Sequence, residues 1–469
     1  MQDAARLLTI RWSIFTQRKV PLLLRSGDAL SDGRLTTWRP MAGKLPRFTT
    51  SRMNGFPRIP NVSTLAASTP ARVRTNAQRL ARATEFDVVV ADASWSWTER
   101  LFSPLADLGA RVLLLRVCDW QTALVQGRSA RDWLWPSRQL AENLWEKTLV
   151  LPPGWMKTLP SVGMRPIAWA VRSWRRTIGK PRHCALAISY PHYIELHRQL
   201  ATDQLIYYNM DDYALYWSGH SKQIQAFEDQ VVRSAALSVF CAKIRADLLA
   251  DRVPDSTQRI LHLPHGAPAE AIPDTPHHLP QAPPADLVRY PRPYLGFVGS
   301  LEDRLDWTLL EKIADNFPGG TVVLIGRPPN PPPNSQWARS CRQALKRPNV
   351  LCLGWRSQAQ IAQYMASFDI CLIPYLATHP FNRMASPTKI MDYMAATRPV
   401  VSTALPETEL YSRLFHIAAT PAEFVTKIQA ILDRHSDDQL ASQRWQTARN
   451  GTWHLRAESL WNAFANSLS

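Results

Sequence analysis

Residues 294–326 read YLGFVGSLEDRLDWTLLEKIADNFPGGTVVLIG. A short apolar run, Tyr294–Val298, stops at Gly299-Ser300, a helical stretch follows over Trp307–Asn316, and a second apolar run closes at Ile325. Strand, helix and strand in so short a span are the pattern of a parallel βαβ unit. Gly299-Ser300 stands where the first strand ends, and a small residue there lets the backbone approach a bound phosphate. Amides at the start of the next helix favour an anion, and Arg304 adds a point charge. The stretch is not GxGxxG, and a glycine after a strand also simply makes a turn.

The alternation continues downstream. Strands are expected at 320–325, 350–353, Ile370–Ile373 and 399–402, with helices at Gln358–Ser367, 387–396 and 421–434. The most informative stretch is NRMASPTKIMDYMAATRPVVST, residues 382–403. Ser386 is placed to cap a helix whose first position is Pro387. Lys389 then falls in the first turn, where a cation is unfavourable unless an anion lies nearby, so its position points to phosphate. Asp392 follows three residues later on the same helical face, and such an acid can accept hydrogen bonds from ribose hydroxyls. A capped surface helix with an i,i+3 ion pair would carry the same residues.

Upstream, a similar series opens at FDVVVA (86–91) and continues with strands at 111–116, 185–189, 205–208, 237–240 and 259–263 and a helix over 221–233. Residues 268–292 are dense in proline and lack either period, which marks a linker. The expected organisation is an extension over 1–84, a first α/β domain over 85–267, the linker over 268–292, and a second α/β domain with a closing helix over 293–469. Both domains are doubly wound, and a ligand would bind in the cleft at the carboxyl ends of their strands.

With 469 residues, 55 Lys+Arg and 38 Asp+Glu, the chain has a net charge of +17 and room for two or three domains. A composition of 45% apolar and 20% charged residues excludes wholesale disorder. The six cysteines have no metal-ligand or redox spacing, which excludes a disulfide framework and suits a reducing compartment. No apolar run is long enough to span a bilayer, and MQDAARLLTIRWSIF lacks the parts of a secretory signal, so a cytoplasmic protein is expected. The charge is regional: residues 1–85 carry a net +11, residues 120–176 a net +6, and the rest is neutral. The first region reads as a mobile basic extension: a solvated tail, an arm for anionic lipid or nucleic acid, or residues added by an upstream start. In the second, Trp120, Trp133, Trp135, Trp145, Trp155, Trp169 and Trp174 interleave with Arg128, Arg131, Arg138, Lys147, Lys157, Arg172, Arg175 and Arg176. Tryptophan and arginine together suit an anionic membrane surface, although several of these tryptophans would equally fill a core. No recognition helix or RNA-binding signature accompanies the charge, so no nucleic acid is expected as a partner.

The stretches 296–326, NVLCLGWRSQAQIAQYMASFDICLIPY (349–375) and 382–403 together resemble the nucleotide-sugar-binding half of GT-B glycosyltransferases, specifically retaining family 4 and its bacterial cell-surface and exopolysaccharide subgroup. DQLIYYNMDDYALY, LSVFCAKIRADLL, RILHLPHGA and the terminal WHLRAESLWNAF are similar to that family's other half and closing helix. The resemblance covers roughly residues 85–469 and implies two Rossmann-like domains facing a cleft. It further implies transfer of a sugar from a nucleotide-diphosphate donor to a glycan or lipid-linked acceptor, with no metal, by a hexosyltransferase working at the inner membrane face. It places Gly299, Ser300 and Arg304 at the donor diphosphate, with Ser386 and Lys389. Trp355 and Arg356 fall beside the nucleobase, Asp392 at the ribose, and Asn382 and Arg383 in the same loop. Asp211, Asp212 and His265 fall on the sugar and acceptor side. In retaining enzymes of this fold the leaving phosphate can take the acceptor's proton, so no dedicated base is implied. A strand-end acid such as Asp211 or Asp212 is also a common cap, and Glu228 reads as a helix-surface or packing acid.

Three positions and one loop depart from the pattern. The first of the family's two acids, eight positions apart, falls at Met384, and the second is the shorter Asp392. A usual glycine is Thr397, so the helix must end without the residue best suited to positive φ. The glycine-rich loop after the first strand is DASWSW (92–97). A nucleotide-sugar epimerase on the same fold and a non-catalytic relative remain as alternatives.

Overall fold

The computed structural model describes residues 82–125, 137–153, 155, 160–216, 219–276 and 282–468. All but three residues of the extension 1–84 lie outside the described residues, as do Arg128, Arg131, Trp133, Trp135 and Lys157.

The first domain is an eight-stranded sheet built from β1 (Phe86–Val90), β2 (Arg111–Asp119), β3 (Arg138–Ala141), β4 (Leu144–Leu151), β5 (His183–Ile188), β6 (Gln204–Asn209), β7 (Leu237–Phe240) and β8 (Ile260–His262). Its order is β3-β4-β2-β1-β5-β6-β7-β8, and every pair is parallel except the β3–β4 hairpin. The second domain has six strands, β9 (Tyr294–Val298), β10 (Thr321–Ile325), β11 (Val350–Gly354), β12 (Ile370–Ile373), β13 (Val400–Thr403) and β14 (His416–Ala418). These are all parallel, in the order β11-β10-β9-β12-β13-β14. The two sheets are the two Rossmann-like domains expected from the sequence. Both are buried on both faces, which is why their strands are continuous apolar runs instead of alternating ones. Along β1, Val88 and Val90 point into one core cluster and Val89 into the other.

Several elements have weak sequence signals. Strand β4 (LWEKTLVL) carries charge, and β3 (RQLA) is exposed throughout. They form because β4 runs beside β2 over eight residue pairs, with Arg116 paired to Glu146 across them. The tryptophans of this region divide. Trp174 is buried in the core, Trp145 and Trp155 are half-buried against it, and Trp120 and Trp169 are exposed.

The closing helix, Trp453–Ser467, is capped by the Thr452 hydroxyl. In sequence it follows the second domain, but in space it packs on the first. Ala457, Leu460, Trp461 and Phe464 join the cluster of Phe86, Val88 and Leu105. The Phe86 ring lies 5.6 Å from both Trp461 and Phe464, edge-on to each. Where the chain crosses back it pairs with the earlier crossing: Ala267 N–H donates to Gly451 O (2.8 Å) and Trp453 N–H to Ala267 O (3.3 Å). Gly266 permits this approach, because a Cβ there would sit 2.6 Å from the Trp453 ring. Replacing Trp461 with Ala should cost about 3–5 kcal/mol of stability, to be measured by chemical denaturation.

Candidate active site

Each doubly wound sheet has one place where the strand order reverses, and ligands bind outside the carboxyl ends of the strands there. In the second domain that place lies between β9 and β12. Strand β9 ends at Val298, just before Gly299, and β12 leads to Tyr375. Gly299 has φ +152°, and a Cβ on it would lie 3.2 Å from Cε and 3.3 Å from Nζ of Lys389. The two motifs, 90 residues apart in sequence, therefore meet at this point. Gly326 is needed as well, since a Cβ there would fall 1.9 Å from Gly299 O.

Lys389 is only 7% exposed. Its ammonium donates to the Tyr375 hydroxyl and stands 4.7 Å from the Tyr375 ring centre and 5.3 Å from that of Phe297. It forms no ion pair with Asp392, so the surface-pair alternative is set aside. The helix itself is Lys389–Ala396, shorter at its start than the sequence suggested. Ser386 does not cap it; the Ser386 hydroxyl donates instead to Glu407 Oε1 at 3.3 Å. The reason is that Glu407 is buried at the junction of the domains and draws donors from both. It also accepts the Lys243 backbone N–H (2.8 Å) and lies 3.4 Å from His262 Nε2.

Asp392 is half-buried one turn beyond Lys389. Burial pushes its carboxyl up to about 6, against the charges of Lys389 and Arg100. Ser300 and Arg383 are exposed. Asn382 is buried and staples the site: its amide donates to Arg304 O and Leu376 O, each at 2.9 Å. Trp355 follows β11 and is 64% exposed, leaving an indole face open beside the site. Arg356 is committed elsewhere, to Asp286 Oδ2 (2.7 Å) and the Tyr364 hydroxyl (3.1 Å).

The first domain meets this loop through aromatic packing. Tyr216 stacks edge-on against Phe381 at 4.6 Å, and the Arg304 guanidinium lies 5.6 Å from the Phe381 ring. The Tyr216 hydroxyl donates to Asp211 (2.8 Å). Burial raises the Asp211 pKa, while the Arg304 charge and the Tyr216 hydrogen bond draw it back down. Asp211 thus faces the second domain. Asp212 turns away from it, accepting the Ala214 N–H (3.1 Å) and pairing with Arg245 at 3.4 Å. Glu228 is the packing acid of the two alternatives: it is buried and binds Arg245, Arg252, Tyr207 and Asn209, locking two helices to β6. His265 is buried between Trp97 and Trp453 and hydrogen-bonds the Ser386 backbone, while its Nδ1 has no partner. Burial and the Arg456 charge lower its pKa to about 4, so the ring is neutral at pH 7.

Sequence reasoning did not assign Tyr375, Tyr216, Phe381, Glu407 or Asp92. Tyr375 was the most accessible of these, because it directly follows a strand in the stretch 349–375. Asp92, at the end of β1, is buried and its carboxyl is pushed up to about 6 by that burial, against hydrogen bonding from Ser94.

Two opposed parallel sheets with a cation-bearing switch point on one side define the GT-B fold class. Residues 292–434 match the family model described as "Glycosyl transferases group 1". The chain is 25% identical over 284 residues to TuaH of Bacillus subtilis (strain 168), provisionally named a teichuronic acid biosynthesis glycosyltransferase; the match covers 58% of this chain and 69% of TuaH. Among solved structures it is similar to Anabaena Alr3699/HepE in complex with UDP-glucose, with a TM-score of 0.56 at 13% identity, covering 82% of this chain and 99% of that one. It is also similar to a UDP-forming α,α-trehalose-phosphate synthase from Burkholderia xenovorans, with a TM-score of 0.55 at 12% identity and coverage of 82% and 99%. At these identities the structures speak to the fold. Fold, partial family match and relative together support a group 1 glycosyltransferase.

Because the folded-state pKa of Asp392 lies above its ordinary value of 3.8, the folded protein holds the extra proton. Its contribution to stability is greatest at low pH and falls as pH rises from about 4 to about 6. Asp392→Asn cannot ionise, so it should lack that part of the decline and be at least as stable as wild type at pH 7.5. Denaturation midpoints from pH 4 to 8 check this.

Proposed function

We propose that the chain is a hexosyltransferase that takes a sugar from a nucleotide-diphosphate donor and passes it, with retention, to a glycan or lipid-linked acceptor in cell-surface or exopolysaccharide synthesis. The observation that carries this reading is the buried Lys389 ammonium lying against Gly299 at the β9–β12 switch point. A buried cation beside open backbone suits an anion such as a diphosphate. The likeness of the fold to a protein crystallised with UDP-glucose supports the same ligand class.

In this reading Gly299, Ser300, Ser386, Lys389 and Arg304 receive the diphosphate, and Asp392 accepts hydrogen bonds from the ribose. Trp355 lies along the base, with Arg356 bracing its loop. Asn382 and Arg383 shape the loop that carries Arg304's carbonyl contact. Asp211 meets the transferred sugar, with Asp212 and His265 behind it. The acceptor oxygen bonds the anomeric carbon as the bond from that carbon to the phosphate oxygen breaks. The bonding pair leaves on the nucleotide diphosphate, which takes the acceptor's proton on the same face. Lys389 and Arg304 stabilise the growing negative charge, and no metal is called upon. An epimerase would turn over donor without any acceptor, so product analysis separates the two.

The protein is also proposed to work in the cytoplasm, at the membrane's inner face. No helix among the described residues is long and apolar enough to cross a membrane. Helix Pro160–Thr177 presents Val162, Arg165, Pro166, Trp169, Arg172 and Arg176 outward with no acid among them, and Trp169 is 67% exposed. Its other face, Met164, Ile167, Ala168, Val171 and Trp174, is core.

Two measurements test the reading. Thermal melts with UDP-, GDP- and dTDP-sugars should find a stabilising donor, and Lys389→Met should weaken its binding by about tenfold or more, since a charged hydrogen bond contributes about 1.5–3 kcal/mol. A protein that no donor stabilises ends the proposal. Sedimentation with anionic vesicles should show binding that falls about 100-fold when Arg165, Arg172 and Arg176 are all changed to Ser, at about 1 kcal/mol per arginine. Equal binding by the triple variant removes the membrane role.

A further inference from the structure

The motif that carries Lys389 is gripped from the first domain by two histidines, one at the end of β8 and one three residues further on. His265 hydrogen-bonds the Ser386 backbone. His262, the last residue of β8, reaches the same serine indirectly, through Glu407. Its Nε2 lies 3.4 Å from Glu407 Oε1, the oxygen that also accepts the Ser386 hydroxyl at 3.3 Å.

Glu407 is 1% exposed and sits in the short helix Pro406–Glu409 after β13. Its two oxygens are held differently. Oε2 accepts the Lys243 backbone N–H at 2.8 Å, at the start of the ten-residue helix Lys243–Arg252, where the helix dipole suits a carboxylate. Oε1 is held loosely: hydrogen bonds to a carboxylate are normally about 2.5–2.9 Å long, and both of its contacts are longer. No lysine or arginine pairs with Glu407 among the described residues. Ser386 is itself buried, three residues before the buried Lys389. A hydroxyl has one proton to donate, so the Ser386 hydroxyl serves either Glu407 or a ligand at Lys389, and not both.

We propose that the Ser386 hydroxyl passes between Glu407 and the donor diphosphate, and that His262 is the positioning residue that makes the exchange possible. The inference rests on the glycosyltransferase reading, which places Ser386 at the diphosphate. When the hydroxyl turns to a phosphate oxygen, Glu407 Oε1 keeps one donor, the Nε2–H of His262. A buried acceptor left with no donor carries the full cost of its lost hydration, so His262 lowers the cost of releasing Ser386. Donor binding is thereby tied to the junction of the domains. The second domain carries the diphosphate site, but the first supplies both the Lys243 N–H and His262, which hold Glu407 in either state. The same exchange accounts for a serine that does not cap its own helix. A hydroxyl spent on the helix's amides would not be free to turn to a ligand.

The test uses the full chain and the donor found by the thermal panel, with Kd read by titration calorimetry. His262→Phe, which offers Glu407 no hydrogen bond, should weaken donor binding by about fivefold or more. His262→Gln, whose amide nitrogen stands in for Nε2, should bind within about twofold of wild type. In a Ser386→Ala background there is no hydroxyl to exchange, so adding His262→Phe should change Kd by less than about twofold. His262→Asn, polar but too short to reach Glu407, repeats the cycle if His262→Phe does not fold. A His262→Phe protein that binds donor within about twofold of wild type overturns the proposal. So does a weakening of equal size with and without the Ser386 hydroxyl, which marks His262 as merely structural. A wild type that no donor stabilises fails earlier and takes the glycosyltransferase reading down with it.

Discussion

The packing of Trp461 and Phe464 on Phe86 is the contact on which the rest of this architecture depends. A sheet edge that binds ligand is open by construction, so one α/β domain offers half a site. Two domains make a cleft only if their carboxyl edges are turned toward each other. Here the final helix leaves the second domain and buries its apolar face on the first, so the chain crosses between the domains twice. The crossings are hydrogen-bonded to each other at Ala267, Gly451 and Trp453. That double connection allows Glu407 to draw on Lys243 and His262 of one domain and Ser386 of the other.

Once the edges face each other, their charges are complementary. The second domain contributes Lys389 and Arg304, held by Tyr375 and Phe381. The first contributes Asp211 and Asp92, held by Tyr216 and Ser94. Several of these groups are buried more deeply than their stability alone favours, which shows in the raised carboxyl pKa values of Asp92, Asp211 and Asp392. Ion pairs serving the scaffold look different. Glu228 is bound on all sides by Arg245, Arg252, Tyr207 and Asn209, and Asp438 is held far below the usual carboxylate range despite its burial by His416 and Arg444. The contrast separates acids paired to arginines from acids buried without an ion pair among the described residues.

Much of this was legible in the chain. The apolar runs at Phe86, Tyr294 and Ile370 became central strands because only a doubly covered parallel sheet accommodates such runs. Thr397 ends its helix at φ +61°, as expected of a helix forced to stop there without glycine; its carbonyl accepts from Arg444 Nε at 3.3 Å. A left-handed non-glycine residue costs about 1 kcal/mol, and the Arg444 contact offsets part of it. The reading was weaker wherever a residue's partner lies far away in sequence. Ser386 has the local context of a helix cap but bonds Glu407, and whether Glu228 lay on the surface or in the packing was decided by two arginines far along the chain. β4 looks polar because Glu146 faces Arg116. Asp92 sat in a loop that drew notice only for its missing glycines.

The sequence by itself determined the two α/β series, the helical stretch bearing Lys389 and Asp392, and the regional character of the +17 charge. These are local properties: periodicity, turn residues and composition act over a few neighbouring positions. Tertiary structure decided which domain the final helix serves, which tryptophans are core and which face outward, and which acids are spent on arginines. It also decided that Lys389 lies against Gly299 and that Asp92 stands buried without a cation. Those outcomes depend on strand order, and strand order arises from packing between segments that the sequence keeps far apart.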